Sequence, residues 1–173
     1  MEIERKFTLR TLPEQLEKYV SKKLEQGYLC TRPVVRVRKS VKEGKEKYIL
    51  CYKSKRGLEK KADAKAHVCE EVELPLTKES YAKLLSKSDG RVITKTRYLI
   101  PYGAYTIELD VFEGELSGLM FAEVEFPNEE EADAFVMPEW FEADVTFDDR
   151  FRNNYLAQWA EAPKELRAAG IIK

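Results

Sequence analysis

Charged residues recur at every second position in one segment of this chain after another, and this alternation constrains the fold more than any other feature. In the first such segment, Glu2, Glu4 and Lys6 would lie on one side of an extended strand. Ile3 and Phe7 would lie on the other side, because successive side chains of a strand point to opposite faces. The pattern therefore predicts strands with one charged and one apolar face, and each apolar face must be covered.

About eight segments have this spacing, and few have the spacing of amphipathic helices. The predicted strands cover residues 2–9, 24–31, 34–38, 47–53, 67–74, 92–100, 105–112 and 121–126. Helices are predicted over 12–20, after a cap at Thr77, over 129–136 after a cap at Asn128, and over 148–159. These helices are too few and too badly placed for parallel crossovers, so the pattern favours an α+β chain with a mostly antiparallel sheet.

The charged faces are segregated by sign. The basic pairs are Arg36/Arg38 and Lys95/Arg97, and the acidic pairs are Glu71/Glu73, Glu108/Asp110 and Glu123/Glu125. A sandwich would leave all of them in water, whereas a closed barrel would turn them inward and expose its apolar outside to the helices. Solvated faces usually mix signs within a strand because like charges repel. The segregation therefore favours a closed eight-stranded barrel with flanking helices, one of them C-terminal.

A barrel interior with this many charges must stay hydrated and must hold countercharges, because burying unpaired charge is very costly. An anion with several phosphate groups fits such an interior. Guanidinium and ammonium groups bind phosphate oxygens directly. Carboxylates can bind the same oxygens through a hard divalent cation.

Composition excludes several other classes. Residues 1–173 are long enough for one domain with a substantial core, and 30 basic against 31 acidic residues give no sign of a nucleic-acid partner. Cys30, Cys51 and Cys69 lack zinc-site spacing and indicate a reducing compartment, and the single histidine, His67, argues against a histidine-based catalytic site. The chain has no predicted leader or membrane span, so a cytoplasmic protein without a membrane partner is expected.

Nine segments, taken in order, resemble the CYTH domain of triphosphate tunnel metalloenzymes of the short bacterial type. They are EIERKF at 2–7, QGYL at 26–29, VVRVR at 34–38, YKSK at 52–55, EEVELPL at 70–76, ITKTRYLIP at 93–101, IELDVFEG at 107–114, AEVEF at 122–126 and DVTFDDRFRN at 144–153. The resemblance covers nearly the whole chain. It implies an eight-stranded antiparallel β-tunnel that binds small-molecule triphosphates together with Mg²⁺ or Mn²⁺.

The resemblance also implies a role for each charged group. The triphosphate would be held by Lys6, Arg36, Arg38, Lys53, Lys95 and Arg97, with Arg150 closing one mouth of the tunnel. A metal ion would be bound by Glu2, Glu4, Glu123 and Glu125, and a second cation or a water would be held by Glu71, Glu73, Glu108 and Asp110. Tyr28 is similar to a tyrosine proposed as a proton acceptor in related short bacterial members. Tyr28, Glu4 and Lys6 are therefore the candidate catalytic residues.

The chain departs from the family pattern in three places. The lysine-rich segment 54–66, predicted to be a solvated loop, is longer than in compact members, and Cys69 replaces a residue that is usually basic. The HF element that precedes ExExK in class IV adenylate cyclases is also absent, since Glu2 follows Met1.

The leading functional hypothesis is a divalent-metal-dependent hydrolase that cleaves inorganic tripolyphosphate to pyrophosphate and phosphate. It is favoured by six basic residues facing a compact acidic set, with no evident base-recognising pocket. Thiamine or nucleoside triphosphate hydrolysis, an adenylate cyclase of the class IV type, and a non-catalytic polyphosphate-binding module stay open as alternatives. The sequence also leaves open whether the chain forms a homodimer.

Overall fold

The computed structural model describes residues 1–54 and 63–172, and most of the predicted loop over 54–66 lies outside these residues. The strands are β1 (Glu2–Leu9), β2 (Val20–Thr31), β3 (Val34–Lys42), β4 (Lys45–Ser54), β5 (His67–Pro75), β6 (Asp89–Tyr102), β7 (Tyr105–Phe112), β8 (Met120–Glu125) and β9 (Phe141–Asp144). The α-helices are α1 (Lys78–Leu85), α2 (Glu129–Ala134), α3 (Asn153–Gln158) and α4 (Ala162–Ala168). Short 3₁₀ helices cover Leu16–Lys18, Gly114–Leu116 and Asp149–Phe151.

Eight of the strands form a closed antiparallel barrel. Their order is β5-β4-β3-β2-β6-β7-β8-β1, and β1 pairs with β5 to close the ring. Glu2 of β1 lies opposite Cys69 of β5, while Glu4 lies opposite Glu125 of β8. The ninth strand, β9, pairs with the end of β1 at Phe7 and Leu9. The predicted eight-stranded antiparallel barrel with flanking helices is confirmed.

The apolar faces of β1, β7 and β8 lie under α2 and β9. Phe7, Ile107 and Val124 are fully buried there, and Phe7 stacks on Phe141 of β9 with ring centroids 4.7 Å apart. Burying such side chains is the main favourable term in folding. The barrel therefore has its apolar faces outside and under cover, as the alternation of the sequence predicts.

A second apolar cluster fills the end of the barrel that α3 and α4 cover. Phe112 and Phe121 pack together with ring centroids 5.1 Å apart, and Leu156 of α3 and Leu166 of α4 are buried against the same cluster. Phe121 also lies beneath a charged residue, since its ring is 5.6 Å from the Lys6 ammonium. This cluster therefore forms the floor under the charged interior.

The helix caps predicted at Thr77 and Asn128 are confirmed, whereas Thr11, also a candidate cap in the sequence, caps no helix, since the turn there begins after Gln15. The Thr77 hydroxyl accepts from the backbone N–H of Ser80 at 3.1 Å, and the Asn128 side chain accepts from that of Glu131 at 2.8 Å. Each bond satisfies a helix N–H that has no partner within the helix.

Two predicted helices are wrong in extent. Within residues 12–20 only the 3₁₀ turn Leu16–Lys18 is helical, and Val20 already pairs with Leu99 of β6, so cross-strand pairing overrides the helical spacing. The tail prediction over 148–159 covers a 3₁₀ turn and α3, after which α4 begins with Pro163 in its first turn. Among the described residues, no helix has the length and apolar character needed to cross a membrane.

Candidate active site

The barrel encloses a cavity of about 1020 Å³ that is lined by charged side chains from all eight barrel strands. Fourteen of the predicted site residues line it, together with the base of α3: Glu2, Glu4, Lys6, Tyr28, Arg36, Arg38, Lys53, Glu71, Glu73, Lys95, Arg97, Glu108, Glu123 and Glu125. The strand register accounts for this convergence. Lys6 lies opposite Glu123, Glu123 opposite Glu108, and Arg97 opposite Asp110.

Lys6 and Glu123 form a buried ion pair on one wall of the cavity. The Lys6 ammonium lies 2.8 Å from a Glu123 oxygen and 3.6 Å from a Glu4 oxygen. Burial alone would lower the pKa of Lys6, but the carboxylates of Glu123 and Glu4 outweigh it and raise the pKa. Burial would raise the pKa of Glu123, but Lys6, Arg97 and Lys95 bring it well below its usual range. Both groups therefore stay charged at neutral pH.

Asp110 lies behind the cations and does not line the cavity. It is fully buried, accepts from Arg97 Nε and Nη2 at 2.6 Å each, and lies 2.5 Å from the Lys95 ammonium. Arg97 also binds Glu108 and Glu123. Burial lowers the pKa of Lys95 to about 8, although Asp110 opposes that shift. Asp110 therefore orients two cations and is not in a position to bind a ligand of the cavity directly.

The opposite wall, from β3 to β5, also pairs cations with carboxylates. Arg36 lies 3.4 Å from Glu71, Lys53 lies 3.5 Å from the same residue, and Lys53 also binds Glu2. Burial alone would lower the pKa of Arg36, but the nearby Tyr28, Cys51 and Glu71 raise it. The guanidinium is therefore permanently charged.

Arg38 is the one predicted phosphate ligand that makes no ion pair with another described residue. Its Nε, like that of Arg36, is buried without a hydrogen-bond partner in the part of the chain that the structure describes. Burial lowers the pKa of Arg38 to about 10, and the neighbouring charges of Arg36 and Arg97 act in the same direction, while the nearby carboxylate of Glu73 opposes the shift without forming an ion pair. A buried cation without a counterion is costly unless a ligand supplies the negative charge. The site is therefore suited to an anion.

Carboxylates crowd the cavity between β1, β5 and β8. Burial raises the pKa of Glu125, and the charges of Glu2, Glu108, Glu71 and Glu4 raise it further. Like charges held this close fit a divalent cation, which would relieve their repulsion. The oxygen donors suit a hard ion such as Mg²⁺.

Cys51 and Cys69 lie beside these carboxylates. The Cys51 thiol donates to Glu71 at 2.8 Å, and the Cys69 thiol donates to Glu2 at 3.2 Å. Ligand atoms of Cys51, Glu71 and Glu73 lie within 4.8 Å of one another. Burial raises the pKa of Cys51 to about 11 and that of Cys69 to about 12, so both carry protons at neutral pH. In this state the thiols are poor ligands for a hard cation.

Tyr28 is buried, with 2 % of its surface exposed, and lines the cavity beside Arg36. Its hydroxyl accepts from Gln26 Nε2 at 3.0 Å. The pairing of β2 shifts register on both sides of Tyr28, which marks a bulge of the kind that redirects a side chain. Gly27 allows this path, because a Cβ there would lie 2.7 Å from Leu85 Cδ1 of α1.

Arg150 does not reach the cavity in this structure. Its side chain is half exposed and pairs with Asp148 at 2.6 Å. Arg152 lines the cavity instead, and Asn153 accepts from the Lys95 ammonium at 3.3 Å. The resemblance therefore indicated the right segment but not the residue that contacts the site.

Lys22 also lines the cavity, although the sequence pattern did not indicate it. It lies opposite Arg97 in the register and 3.6 Å from Glu108. The predicted helix over 12–20 obscured it. Every second residue of a strand shares a face, so residues 28, 26, 24 and 22 lie on the same side of β2. Applying this alternation to residues before 24 would have placed Lys22 on the inward face.

No family model matches the chain. A curated inorganic triphosphatase of Nitrosomonas europaea is 38 % identical over 158 residues, which cover 90 % of this chain and 96 % of the relative. An inorganic triphosphatase of Acetivibrio thermocellus is 40 % identical over 67 residues, or 39 % of this chain and 42 % of the relative. A crystal structure of an inorganic triphosphatase superposes with a TM-score of 0.61 at 34 % identity, covering 91 % of this chain and 94 % of the other.

Proposed function

This chain belongs to the inorganic triphosphatase family, and from that membership we propose that it hydrolyses inorganic tripolyphosphate to pyrophosphate and phosphate inside its barrel. We further propose that residues 1–173 form one triphosphate tunnel domain of the CYTH type. The nine motif segments, which follow one another along the chain in the order of the resemblance, support this proposal, as does the superposition on a solved inorganic triphosphatase.

The observation that carries the proposal is the unbalanced positive charge around Arg38. Lys6, Lys95 and Arg97 are each bound to carboxylates, whereas Arg38 has no ion-pair partner among the described residues. Guanidinium groups bind phosphate oxygens in a bidentate way and with greater strength than neutral donors. A short chain of phosphates would supply the missing negative charge.

The proposed phosphate ligands are eight basic residues that line the cavity, with Arg152 in place of Arg150 at the α3 side: Lys6, Lys22, Arg36, Arg38, Lys53, Lys95, Arg97 and Arg152. Glu123 and Asp110 serve as positioning residues, since both are buried against cations. Fixed cations of this kind need little reorganisation when negative charge develops during phosphoryl transfer.

A divalent cation, Mg²⁺ or Mn²⁺, is proposed as the cofactor. Glu2, Glu4 and Glu125 would hold it, and the second carboxylate group, Glu71, Glu73 and Glu108, would contribute a further site or fix a water. The crowding of the cavity carboxylates, which raises the pKa of Glu125, supports this assignment. A bound ion would supply charge neutralisation at the phosphate oxygens.

The remaining chemistry falls to side chains of the chain itself. The basic residues would hold the triphosphate with a terminal phosphorus open to in-line attack by water. Lys6 would neutralise charge on that phosphoryl group. Tyr28 is the proposed acceptor of the water proton, because its hydroxyl lies in the cavity beside Arg36 and accepts a hydrogen bond from Gln26.

We propose a cytoplasmic setting with a small-molecule triphosphate as the partner. All three cysteines are free thiols, and two of them are buried in the barrel, which is typical of a reducing compartment.

The test is phosphate release from tripolyphosphate by the purified chain at neutral to alkaline pH, with Mg²⁺, with Mn²⁺ and with chelator. Turnover that requires the metal and stops in Glu4→Gln is expected. Glu4→Gln should still bind tripolyphosphate, which separates catalysis from mere binding. Tight binding without turnover under every metal condition would leave a polyphosphate-binding module, and cyclic AMP formed from ATP would indicate a cyclase.

A further inference from the structure

Gln26 is a buried polar residue of β2 that has no step of its own in the proposed chemistry. Its side chain is 1 % exposed, and it lies two residues before Tyr28. We propose that Gln26 is a positioning residue that holds the Tyr28 oxygen as the acceptor for the proton of the attacking water, an inference that rests on the proposed function.

The path of β2 brings the two side chains together. The pairing of β2 with β6 shifts register between Gln26 and Tyr28, and such a bulge redirects the side chains beside it. Tyr28 lines the cavity, whereas Gln26 is not part of the lining and lies behind the tyrosine. Gln26 can therefore act on the site only through Tyr28.

The contact between the two residues has a chemical direction. Gln26 Nε2 donates to the Tyr28 hydroxyl oxygen at 3.0 Å. An amide N–H can donate but cannot accept, so the tyrosine oxygen is the acceptor of this bond and its own proton must point elsewhere. A buried amide is costly unless it is hydrogen-bonded, so the bond also fixes the orientation of both side chains.

Positive charges surround the same oxygen. Burial acts to lower the pKa of Lys6, Arg36 and Arg38, and the interaction with Tyr28 is among those that act to raise the pKa of each. On β6, Asp89 lies opposite Tyr28 in the register but is exposed, and α3 carries no charged residue. Nearby cations and hydrogen-bond donors both favour the ionised form of an acid. Gln26 therefore adds a neutral donor to a set of cations that favours the ionised oxygen.

The proposed step leaves Gln26 in place throughout. The O–H bond of the attacking water breaks, and its proton goes to the Tyr28 oxygen on the side that faces the cavity. The electron pair of the water oxygen forms the bond to the terminal phosphorus. The bridging P–O bond then breaks, its electron pair leaves with pyrophosphate, and Tyr28 releases the proton to solvent before the next cycle.

The experiment is a double-mutant cycle with Gln26→Met, Tyr28→Phe and the double variant. Methionine is close to glutamine in size but has no N–H to donate. The turnover number kcat for tripolyphosphate is measured in Mg²⁺ from neutral to alkaline pH, because its pH dependence reports the groups of the enzyme–substrate complex. We expect Gln26→Met to lower kcat roughly 10- to 100-fold near neutral pH, since a hydrogen bond to a charged oxygen is lost. KM should change less than about twofold, because Gln26 does not touch the substrate.

Two further results are expected if Gln26 acts through Tyr28. The deficit of Gln26→Met should shrink as pH rises, because loss of the donor moves the acidic limb of the kcat profile to higher pH. In the Tyr28→Phe background, Gln26→Met should cause no further loss, since the interaction between the two residues is already absent. Gln26→Glu, which keeps the size and places a negative charge beside the oxygen, should move the limb in the same direction. It carries the test if thermal unfolding shows that Gln26→Met does not fold.

A loss of the same size at every pH, or an equal loss in the Tyr28→Phe background, would overturn the inference, because Gln26 would then act only through the fold. Full activity of Gln26→Met would also overturn it and would leave tripolyphosphate hydrolysis by the wild-type chain untouched. A wild-type chain that releases no phosphate would instead overturn the proposed function, and this inference with it.

Discussion

Arg38 lies in the barrel interior and forms no ion pair with a carboxylate of the described residues, and burial together with Arg36 and Arg97 lowers its pKa to about 10. A side chain in this state destabilises the empty protein and favours the bound one. The charge of Arg38 therefore lowers the stability of the empty protein and raises the affinity for an anion, a trade-off that is common in functional sites.

Replacing Arg38 with methionine should lower activity and raise stability at the same time. A hydrogen bond to a charged group contributes about 1.5–3 kcal/mol to the free energy of binding. Its loss should therefore reduce the apparent affinity for tripolyphosphate roughly 10- to 100-fold. Removing an uncompensated buried charge should stabilise the ligand-free chain by about 1 kcal/mol, or roughly 2–4 °C in Tm. Lys39→Met is the matched control, because Lys39 pairs with Glu46 outside the cavity. A variant that is both less active and less stable would contradict this assignment.

The lowered pKa of Lys95 gives a pH dependence with a definite sign. With a pKa of about 8, Lys95 is largely neutral at pH 9 in the empty protein. A polyanion beside it favours the charged form, so binding should take up protons at pH 9 and weaken as pH rises through about 8 to 10. Calorimetry in two buffers of different ionisation enthalpy measures the uptake. The proton uptake should be smaller in Lys95→Met. An unchanged proton uptake in this variant would exclude Lys95 as the group that takes up the proton.

Which side chains face the interior was predictable from the alternation alone, as for Lys6, Arg36 and Glu123. The position of Asp110 behind Lys95 and Arg97 was not predictable in this way. It is decided by the cross-strand register, which a single sequence does not contain. Arg150 was expected at the site and Arg152 lines it, because the path of the 3₁₀ turn Asp149–Phe151 decides which of the two side chains faces inward, and strand alternation does not extend to that turn.

At the scale of elements, α3 depends on the close approach of β6 at Gly90. Gly90 has a φ of +74°, and a Cβ there would lie 2.1 Å from the carbonyl oxygen of Ala157. An Asp-Gly pair is typical of a turn after a helix, yet Asp89-Gly90 begins β6. A positive-φ glycine was recognisable in the sequence, but its contact with a helix more than sixty residues later was not.

Gly90→Ala should displace α3 and lower both stability and activity. The strained backbone and the clash with Ala157 together should cost about 2–3 kcal/mol, and the loss of activity should follow from the movement of Asn153 away from Lys95. Gly103→Ala is the control, because Gly103 also has a positive φ of +59° but a Cβ there meets nothing within 4 Å. Denaturant unfolding compares the two. Equal destabilisation would mean that α3 is not affected.

At the scale of the whole molecule, the sign segregation of the strands was enough to predict a closed barrel with a charged interior. The closing pair, β1 with β5, follows from the same need to enclose the charges. The added strand β9 was not predictable, since its four residues carry no clear alternation. It is held by tertiary contacts, among them the stacking of Phe141 on Phe7 and the pair between Arg5 and Asp144 at 2.6 Å.

Filling the cavity should stabilise the entire barrel. Ligand at one hundred times its dissociation constant adds about 2.7 kcal/mol, which corresponds to a rise of roughly 5–10 °C in Tm for a chain of this size. Thermal unfolding with tripolyphosphate and Mg²⁺ measures it, against sodium sulfate at matched ionic strength. The same shift with sulfate would mean that the cavity does not select for linked phosphates.

The surplus cation at Arg38 also bears on what happens after the bond is cut. Pyrophosphate that stays in the barrel after cleavage still neutralises the Arg38 guanidinium. Its release is therefore unfavourable, because it leaves that charge unpaired again. We expect release of pyrophosphate, and not cleavage, to be the rate-limiting step of each turnover. Rapid-mixing kinetics should then show a burst of phosphate followed by a slower steady-state phase. In a cell rich in small phosphates, a vacant barrel would then be the rarest form of this protein.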